Sequence, residues 1–316
     1  MGGRCLKTYD ELKALIRSVR WSHINAHVHT HLCDGRPEMT VDNIGTAAQK
    51  AGVELVILTP HFHKRVSDAS ETLYDDTREE ILWRLRDEID RYSSKSKAPV
   101  FLLSAEADIL NREGEIALNP SPRTVDALDL ISPTMNYNVA LPLHGVHLTY
   151  GHDRDGLYDS GIYDAMVQAA GGVENVIATM YEMEVNAVLS TTYPSLLGHV
   201  FAAHSFAGRH NWFGMKEKHL PLIQKGAERI IESCSKKGVM IDITGIIRPV
   251  NVTPEEHALK DGFLYIFQKW FLEKCARVGV VTCPGSDAHA LSGIDKALSY
   301  GVLFDTYEAE IGYGTI

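Results

Sequence analysis

The sequence contains no apolar run approaching the roughly 20 residues that a membrane-spanning helix needs, so a spanning role is not expected. It also lacks internal repeats, low-complexity tracts and any Pro/Gly/Ser-rich linker, which sets aside solenoids, fibres and strings of tethered modules. Cysteine is sparse. Cys5, Cys33, Cys234, Cys275 and Cys283 are an odd number with no CxxC spacing, so neither a disulfide framework nor a zinc ribbon is indicated, and a reducing, cytoplasmic compartment is expected. Positive charge is in deficit. A formal net charge of −10 argues against a nucleic-acid partner, because a phosphate backbone is attracted by clustered Lys and Arg. The first 19 residues, MGGRCLKTYDELKALIRSV, carry charges among their apolar positions and are expected to form an amphipathic helix within residues 1–20, not a signal peptide. Leu6 stands where a myristoylation motif requires Ser or Thr. No membrane partner is expected, and the sequence carries no mark of oligomeric state.

What is present is an ordinary folded composition, 45% hydrophobic and 23% charged over 316 residues, enough for one large α/β barrel. With no boundary signal, a single domain over residues 1–316 is expected. Short apolar, partly β-branched runs alternate with longer periodic ones, as in a mainly parallel sheet with crossover helices. Strands are expected at His23 to Val28, Leu55 to Leu58, Val100 to Ser104, Leu128 to Ser132, Leu196 to Gly198, Val239 to Ile243 and Val280 to Cys283. Helices are expected at Thr40 to Ala51, Ser70 to Tyr92, Lys216 to Lys237 and Asp261 to Val278. Residues 135–185 read as a Pro/Gly/Asn/Asp-rich loop or insertion followed by a helix from about Ile162.

The informative pattern lies at the strand ends. The first strand leads into His27, His29 and Asp34, the second into His61, the third into Glu106, the fifth into His199, and the seventh into Asp287 and His289. In a (β/α) barrel the C-terminal strand ends share one face, so these residues would meet. His27 and His29, at i and i+2, share one side of an extended segment. Imidazoles and carboxylates together suit a two- or three-metal hydrolytic centre of Zn, Mn or Fe, in which ions about 4 Å apart turn bound water into hydroxide and neutralise phosphoryl oxygens. Each short motif alone has an ordinary reading: Glu106 as a solvated acid, Asp287 as a helix cap, Cys33 as a small buried filler. Their ordered conjunction points to a site.

The segments HVHTHLCDG, ILTPHF, LLSAE, LLGH and GSDAH resemble the motifs of the PHP (polymerase and histidinol phosphatase) family, over roughly Ile24 to His289. The resemblance implies a distorted (β/α)7 barrel with up to three metals. Carried over residue by residue, it makes His27, His29, Asp34, His61, Glu106, His199, Asp287 and His289 metal ligands, with Glu106 bridging and Asp287 beside the attacking hydroxide. Asp287, His289 and Glu106 are thereby the expected catalytic residues. IDITGIIRP resembles the stretch that ends in a phosphate-binding arginine in the histidinol phosphatase branch, nominating Arg248, whose planar fork suits phosphate. The alternative for Arg248 is an ordinary loop arginine, and Arg209 and Lys64 are further candidates.

Two positions depart from the family pattern. Asn136 stands where the fourth motif has histidine. It could coordinate through its amide oxygen, His144 or His147 could replace the imidazole, or the site could hold two ions. Pro60 replaces the usual Asp, as in the tyrosine-phosphatase branch. His23, His152, His210, His219 and His257 read as solvent-facing, and His31, His63 and His204 as candidates for orienting ligands. The expected function is hydrolysis of a small phosphorylated substrate, a monoester. Rival expectations are a phosphodiesterase or exonuclease of the same fold, an amidohydrolase-type enzyme, and a non-catalytic metal-binding protein.

Overall fold

The computed structural model describes residues 8–66, 72–76, 78–135, 167–200, 217–244 and 263–295. Local chemistry sets its helix ends. Helix α1 (Tyr9–Arg17) starts where the Thr8 hydroxyl accepts the Glu11 N–H at 3.2 Å, and buries Leu12 and Ile16 one turn apart. Helix α2 (Val41–Ala51) is capped by Thr40 and stops at Gly52, whose φ of 79° few other residues adopt.

Strands β1 (Ile24–Val28), β2 (Leu55–Leu58) and β5 (Val100–Leu103) form a parallel sheet in the order β1-β2-β5. Their near-continuous burial is that of parallel strands covered on both faces. Strands β3 (His61–Val66), β4 (Thr72–Asp76), β6 (Glu106–Asp108) and β7 (Ser132–Thr134) form a second sheet in the order β4-β3-β6-β7. The second sheet continues the ladder of the first. The β2–β5 pairing Leu58↔Leu103 and the β3–β6 pairing His61↔Glu106 keep one offset across Pro60, which has no N–H to donate. The Glu106 N–H instead reaches the Pro60 carbonyl at 2.9 Å. Strands β8 (Leu196–Leu197), β9 (Met240–Asp242) and β10 (Thr282–Cys283) form a third parallel sheet.

Helices α3 (Glu79–Lys95) and α4 (Pro122–Ala127) precede β5 and β7, and α5 (Val173–Ser190), α6 (Leu220–Lys237) and α7 (Phe263–Arg277) precede β8, β9 and β10. Two apolar cores result. One gathers Ile44, Leu82, Leu85 and Ile89 against Val56 and Leu103, and the other gathers Tyr181, Ile230 and Phe271 around Leu197 and Ile241. Among the described residues no helix is long and apolar enough to cross a membrane.

The observed elements are mixed α/β, in three small sheets and not in one continuous closed barrel. Backbone bonds nevertheless pass from sheet to sheet. The Leu196 and Gly198 N–H groups donate to Ile131 and Pro133 at 2.9 and 2.8 Å, and the Ala26 N–H donates to Pro284 at 2.8 Å.

Two expected elements are corrected. Instead of a helix over Ser70 to Tyr92, Thr72–Asp76 pairs antiparallel with β3 and the helix begins at Glu79. The helical stripe starts only at Ile81, and the Thr-Leu-Tyr run suits an extended chain. The fourth strand lies at Ser132–Thr134 and not at Leu128 to Ser132, because the Asp129 carboxylate takes the Leu103 N–H at 2.9 Å and interrupts the ladder there. Of the helix expected from Ile162, residues 162–166 lie outside the described part, and α5 spans Val173–Ser190.

Candidate metal centre

Strand ends bring the site together. His27 sits on β1 with His29 just beyond it, His61 opens β3, Glu106 opens β6, His199 follows β8, Asp242 ends β9, and Asp287 and His289 follow β10. Two glycines allow the close approach. A Cβ on Gly198 would lie 2.2 Å from the Thr134 hydroxyl, and one on Gly285 would lie 2.3 Å from the Thr244 hydroxyl and 2.8 Å from the His27 Cβ. Asp287 holds φ at 52°, uncommon outside glycine and of the kind that clusters at functional sites.

Glu106 is the hub, with its side chain 1% exposed. Its Oε1 lies 2.9 Å from His199 Nε2. Its Oε2 lies 3.0 Å from His61 Nδ1, 3.3 Å from His27 Nε2 and 3.6 Å from His29 Nε2. One flank is completed by Asp287, whose Oδ1 is 3.0 Å from His29 Nε2 and 3.9 Å from His27 Nε2. On the other flank Asp34 Oδ2 is 2.9 Å from both His61 Nε2 and His289 Nε2. Exposure gives the site a direction. His27 and His29 are closed off, whereas Asp34 (43%), Asp287 (34%) and His289 (32%) line an open mouth.

The charges are mutually dependent. Burial alone would raise the Glu106 carboxyl, but His61 and His27 outweigh it and hold the group well below its ordinary range. Burial likewise opposes ionisation of Asp34 and Asp287 and is overcome by their imidazole neighbours, so both are depressed. In the opposite sense, burial would lower His61, yet Glu106 and Asp34 push it up to about 10. His27 and His289 are also raised, against burial, by Glu106 with Asp242 and by Asp34 with Asp287. Protons thus occupy ground that a cation would take, and ligand deprotonation couples metal binding to proton release.

The donors fit divalent cations. His29 Nδ1 lies 3.2 Å from Asp34 Oδ1, and His61 Nδ1 lies 3.0 Å from Glu106 Oε2. Neither pair is aligned as a hydrogen bond, and both nitrogens are buried without any hydrogen-bond partner. Lone pairs that converge off the N–H axis suit a shared ion better than a shared proton. Among the described residues three groups could hold a metal: His29 with Cys33, Asp34 and His61; His27 with Glu106 and His199; and His27 with His29 and Asp287.

The structure therefore gathers His27, His29, Asp34, His61, Glu106, His199, Asp287 and His289. Asn136, Arg209 and Arg248, with His144, His147, His152, His204, His210 and His257, lie outside the described residues, as does the Lys64 side chain. Asp287 caps no helix, since Ala290 is the cap residue of the short turn after it. Contrary to expectation, His219 is buried, with Nε2 3.4 Å from Glu174. His23 pairs with Glu54 at 2.7 Å. His31 turns away from the centre to the Met39 carbonyl and Glu88.

Sequence reading missed Asp242. Fully buried, it accepts from His27 Nδ1 at 2.8 Å and from the His199 N–H at 3.1 Å through Oδ2, while Oδ1 takes the Thr244 N–H at 2.8 Å and the Thr244 hydroxyl. Such a carboxylate fixes the imidazole tautomer and leaves Nε2 free to ligate. Its signal was its place at the end of the sixth expected strand, equivalent to that of the other gathered residues on theirs. Asp108, two residues after Glu106 on the same face of β6, was also missed. It lies 3.2 Å from His63 Nδ1, and the His63 ring sits 4.0 Å from that of His61.

No protein-family model matches the chain, and no curated protein does. Among solved structures the chain is similar to a protein from Listeria monocytogenes provisionally named the histidinol phosphatase hisK, with 14% identity and a TM-score of 0.59, covering 90% of this chain and 99% of that one. Dihydropteroate synthase of Yersinia pestis (12% identity, TM-score 0.37, covering 92% and 96%) and a GH5-4 broad specificity endoglucanase from Clostridium longisporum (9%, 0.40, covering 94% and 99%) lie too far away to carry an argument. At 14% identity the first likeness is one of fold.

Proposed function

We propose that this chain is a metal-dependent phosphatase of the PHP type, resembling histidinol phosphatases and hydrolysing a small phosphate monoester. The observation that carries the reading is the Glu106 carboxylate, buried and set within 3.6 Å of His27, His29, His61 and His199 nitrogens, with strand-end carboxylates on both flanks. The bonds that run between the three small sheets, and the likeness to the Listeria structure, support a single domain built as a distorted (β/α)7 barrel with this centre at its C-terminal face.

The residues would hold two or three divalent ions, Zn, Mn or Fe. His27, His29, Asp287 and one oxygen of Glu106 would form one subsite, and the other Glu106 oxygen with His199, and Asn136 by sequence position, a second. Asp34, His61 and His289 would form a third, to which His29 can turn by its Nδ1 in place of serving the first by its Nε2. When bound, such ions supply an acidified water and neutralise phosphate oxygens. The protein does the rest. Asp242 holds His27 with Nε2 inward. Asp287, kept ionised at the mouth, orients the attacking water by accepting its proton in a hydrogen bond. With two ions held and the third subsite empty, His289 would instead donate its Nε2 proton to the leaving alcohol. Arg248 and Arg209 are proposed to clamp the phosphate oxygens.

The test compares p-nitrophenyl phosphate with bis(p-nitrophenyl) phosphate, with Mn²⁺ and with Zn²⁺. Preferential turnover of the monoester is expected. Turnover of the diester alone would transfer the chain to the phosphodiesterase reading, and cleavage of amides or lactones without any phosphate ester would transfer it to the amidohydrolase reading.

A further inference from the structure

We propose that Cys33 supplies a thiolate to the subsite it shares with His29, Asp34 and His61, and so gives that part of the centre a preference for a soft ion such as zinc; this rests on the metal reading above. The sequence HTHLCDG carries the thiol back under the site in a tight turn, where the Cys33 and Gly35 N–H groups both donate to the Thr30 carbonyl at 3.0 Å. One donor atom from each of His29, Cys33, Asp34 and His61 lies within 4.8 Å of the others. Donors on a tetrahedral zinc, at about 2.3 Å for sulfur and 2.0–2.2 Å for nitrogen or oxygen, stand roughly 3.5 Å apart. An ion therefore has to draw these groups inward by only about an ångström.

A second observation points to the same space independently of the thiol. His29 is fully buried, and its Nδ1 faces Asp34 with no hydrogen-bond partner. A buried imidazole nitrogen left in that state is costly unless something else takes its lone pair or its proton. The sulfur is also pre-positioned, because the His61 N–H donates to Sγ at 3.2 Å, a contact that favours a thiolate over a thiol. The remaining described cysteines, Cys234, Cys275 and Cys283, are packed in the apolar core. On binding, the S–H proton is released to water and an S–metal bond replaces it, with no change of oxidation state. Thiolate beside imidazole and carboxylate widens the preference for zinc over the harder manganese beyond that of an all-oxygen and nitrogen subsite.

The experiment is a Co²⁺ titration of metal-free protein, followed in the visible and near ultraviolet. Wild type is expected to show visible d–d bands together with a near-ultraviolet thiolate-to-cobalt charge-transfer band. Cys33→Ser and Cys33→Ala should keep the visible bands and lose the near-ultraviolet one. Visible bands without the charge-transfer band in wild type, or its persistence in both variants, would overturn the inference and leave the metal centre standing. Absence of any cobalt spectrum would contradict the metal reading itself. In parallel, zinc-edge X-ray absorption of Zn²⁺-loaded wild type should show a sulfur neighbour at about 2.3 Å. A shell of nitrogen and oxygen alone would overturn the inference even if neither variant folds.

Discussion

Replacing Asp242 by Asn separates tautomer control from shape. The wild-type carboxylate accepts four donors, from His27 Nδ1, the His199 N–H, the Thr244 N–H and the Thr244 hydroxyl, and all are buried. An amide can accept on one side only. If its oxygen stays with Thr244, the NH2 group opposes the His199 N–H and forces His27 Nδ1 to accept, which moves the proton to Nε2 on the side of Glu106. If the amide flips, its NH2 opposes the Thr244 N–H instead. Either way a buried donor loses its partner, at about 1–3 kcal/mol of stability. In the first case His27 can no longer ligate through Nε2. Loss of such an orienting carboxylate weakens metal binding about 10–100-fold, or about 1.4–2.7 kcal/mol. Competition with a chromophoric chelator measures the affinity, and chemical denaturation of the metal-free protein measures the stability. An Asp242→Asn protein that matches wild type within about twofold in affinity, with unchanged stability, would refute the reasoning.

Three further outcomes rest on the same geometry. Glu106→Gln removes the charge shared by four imidazoles, so metal content should fall and affinity should drop by more than the roughly 100-fold of an outer-shell change, as read by equilibrium dialysis with elemental analysis. Gly198→Ala drives a methyl into the Thr134 hydroxyl. It should cost about 1–3 kcal/mol and displace His199, and the double change with Thr134→Ala should recover much of the loss. Glu184 is buried on α5 and burial pushes its carboxyl up to about 8, well above the usual 4.5. The folded chain therefore binds the extra proton between these values, so this contribution is complete below about pH 4.5 and is lost as pH rises through 8. Denaturation should show wild type losing a few kcal/mol over that window, and Glu184→Gln should remove the slope.

Most of the residues that converge at the site were legible in the sequence because one physical rule organises them: parallel strands point the same way, so residues just past their ends meet. That rule reached His27, Glu106, His199 and Asp287 across more than 250 residues of chain. It failed where it was not applied, at Asp242, whose strand drew attention only for Arg248 downstream. The hairpin at Thr72–Asp76 was missed because two apolar residues, Leu73 and Tyr74, fit the periods of helix and strand alike. His219 was read as exposed from polar sequence neighbours, but burial is decided by what packs around a residue in space and not by its neighbours along the chain, and its side chain is only 5% exposed.

The account stands on cations shared by residues far apart in the chain, and the most direct measurement is elemental analysis of purified wild type, before and after loading with Zn²⁺, Mn²⁺ or Fe²⁺, beside Glu106→Gln. Two or three divalent ions per wild-type chain, and markedly fewer in the variant, are predicted. A wild-type chain that remains free of metal under every loading condition, or a variant that binds as many ions as wild type, would contradict it.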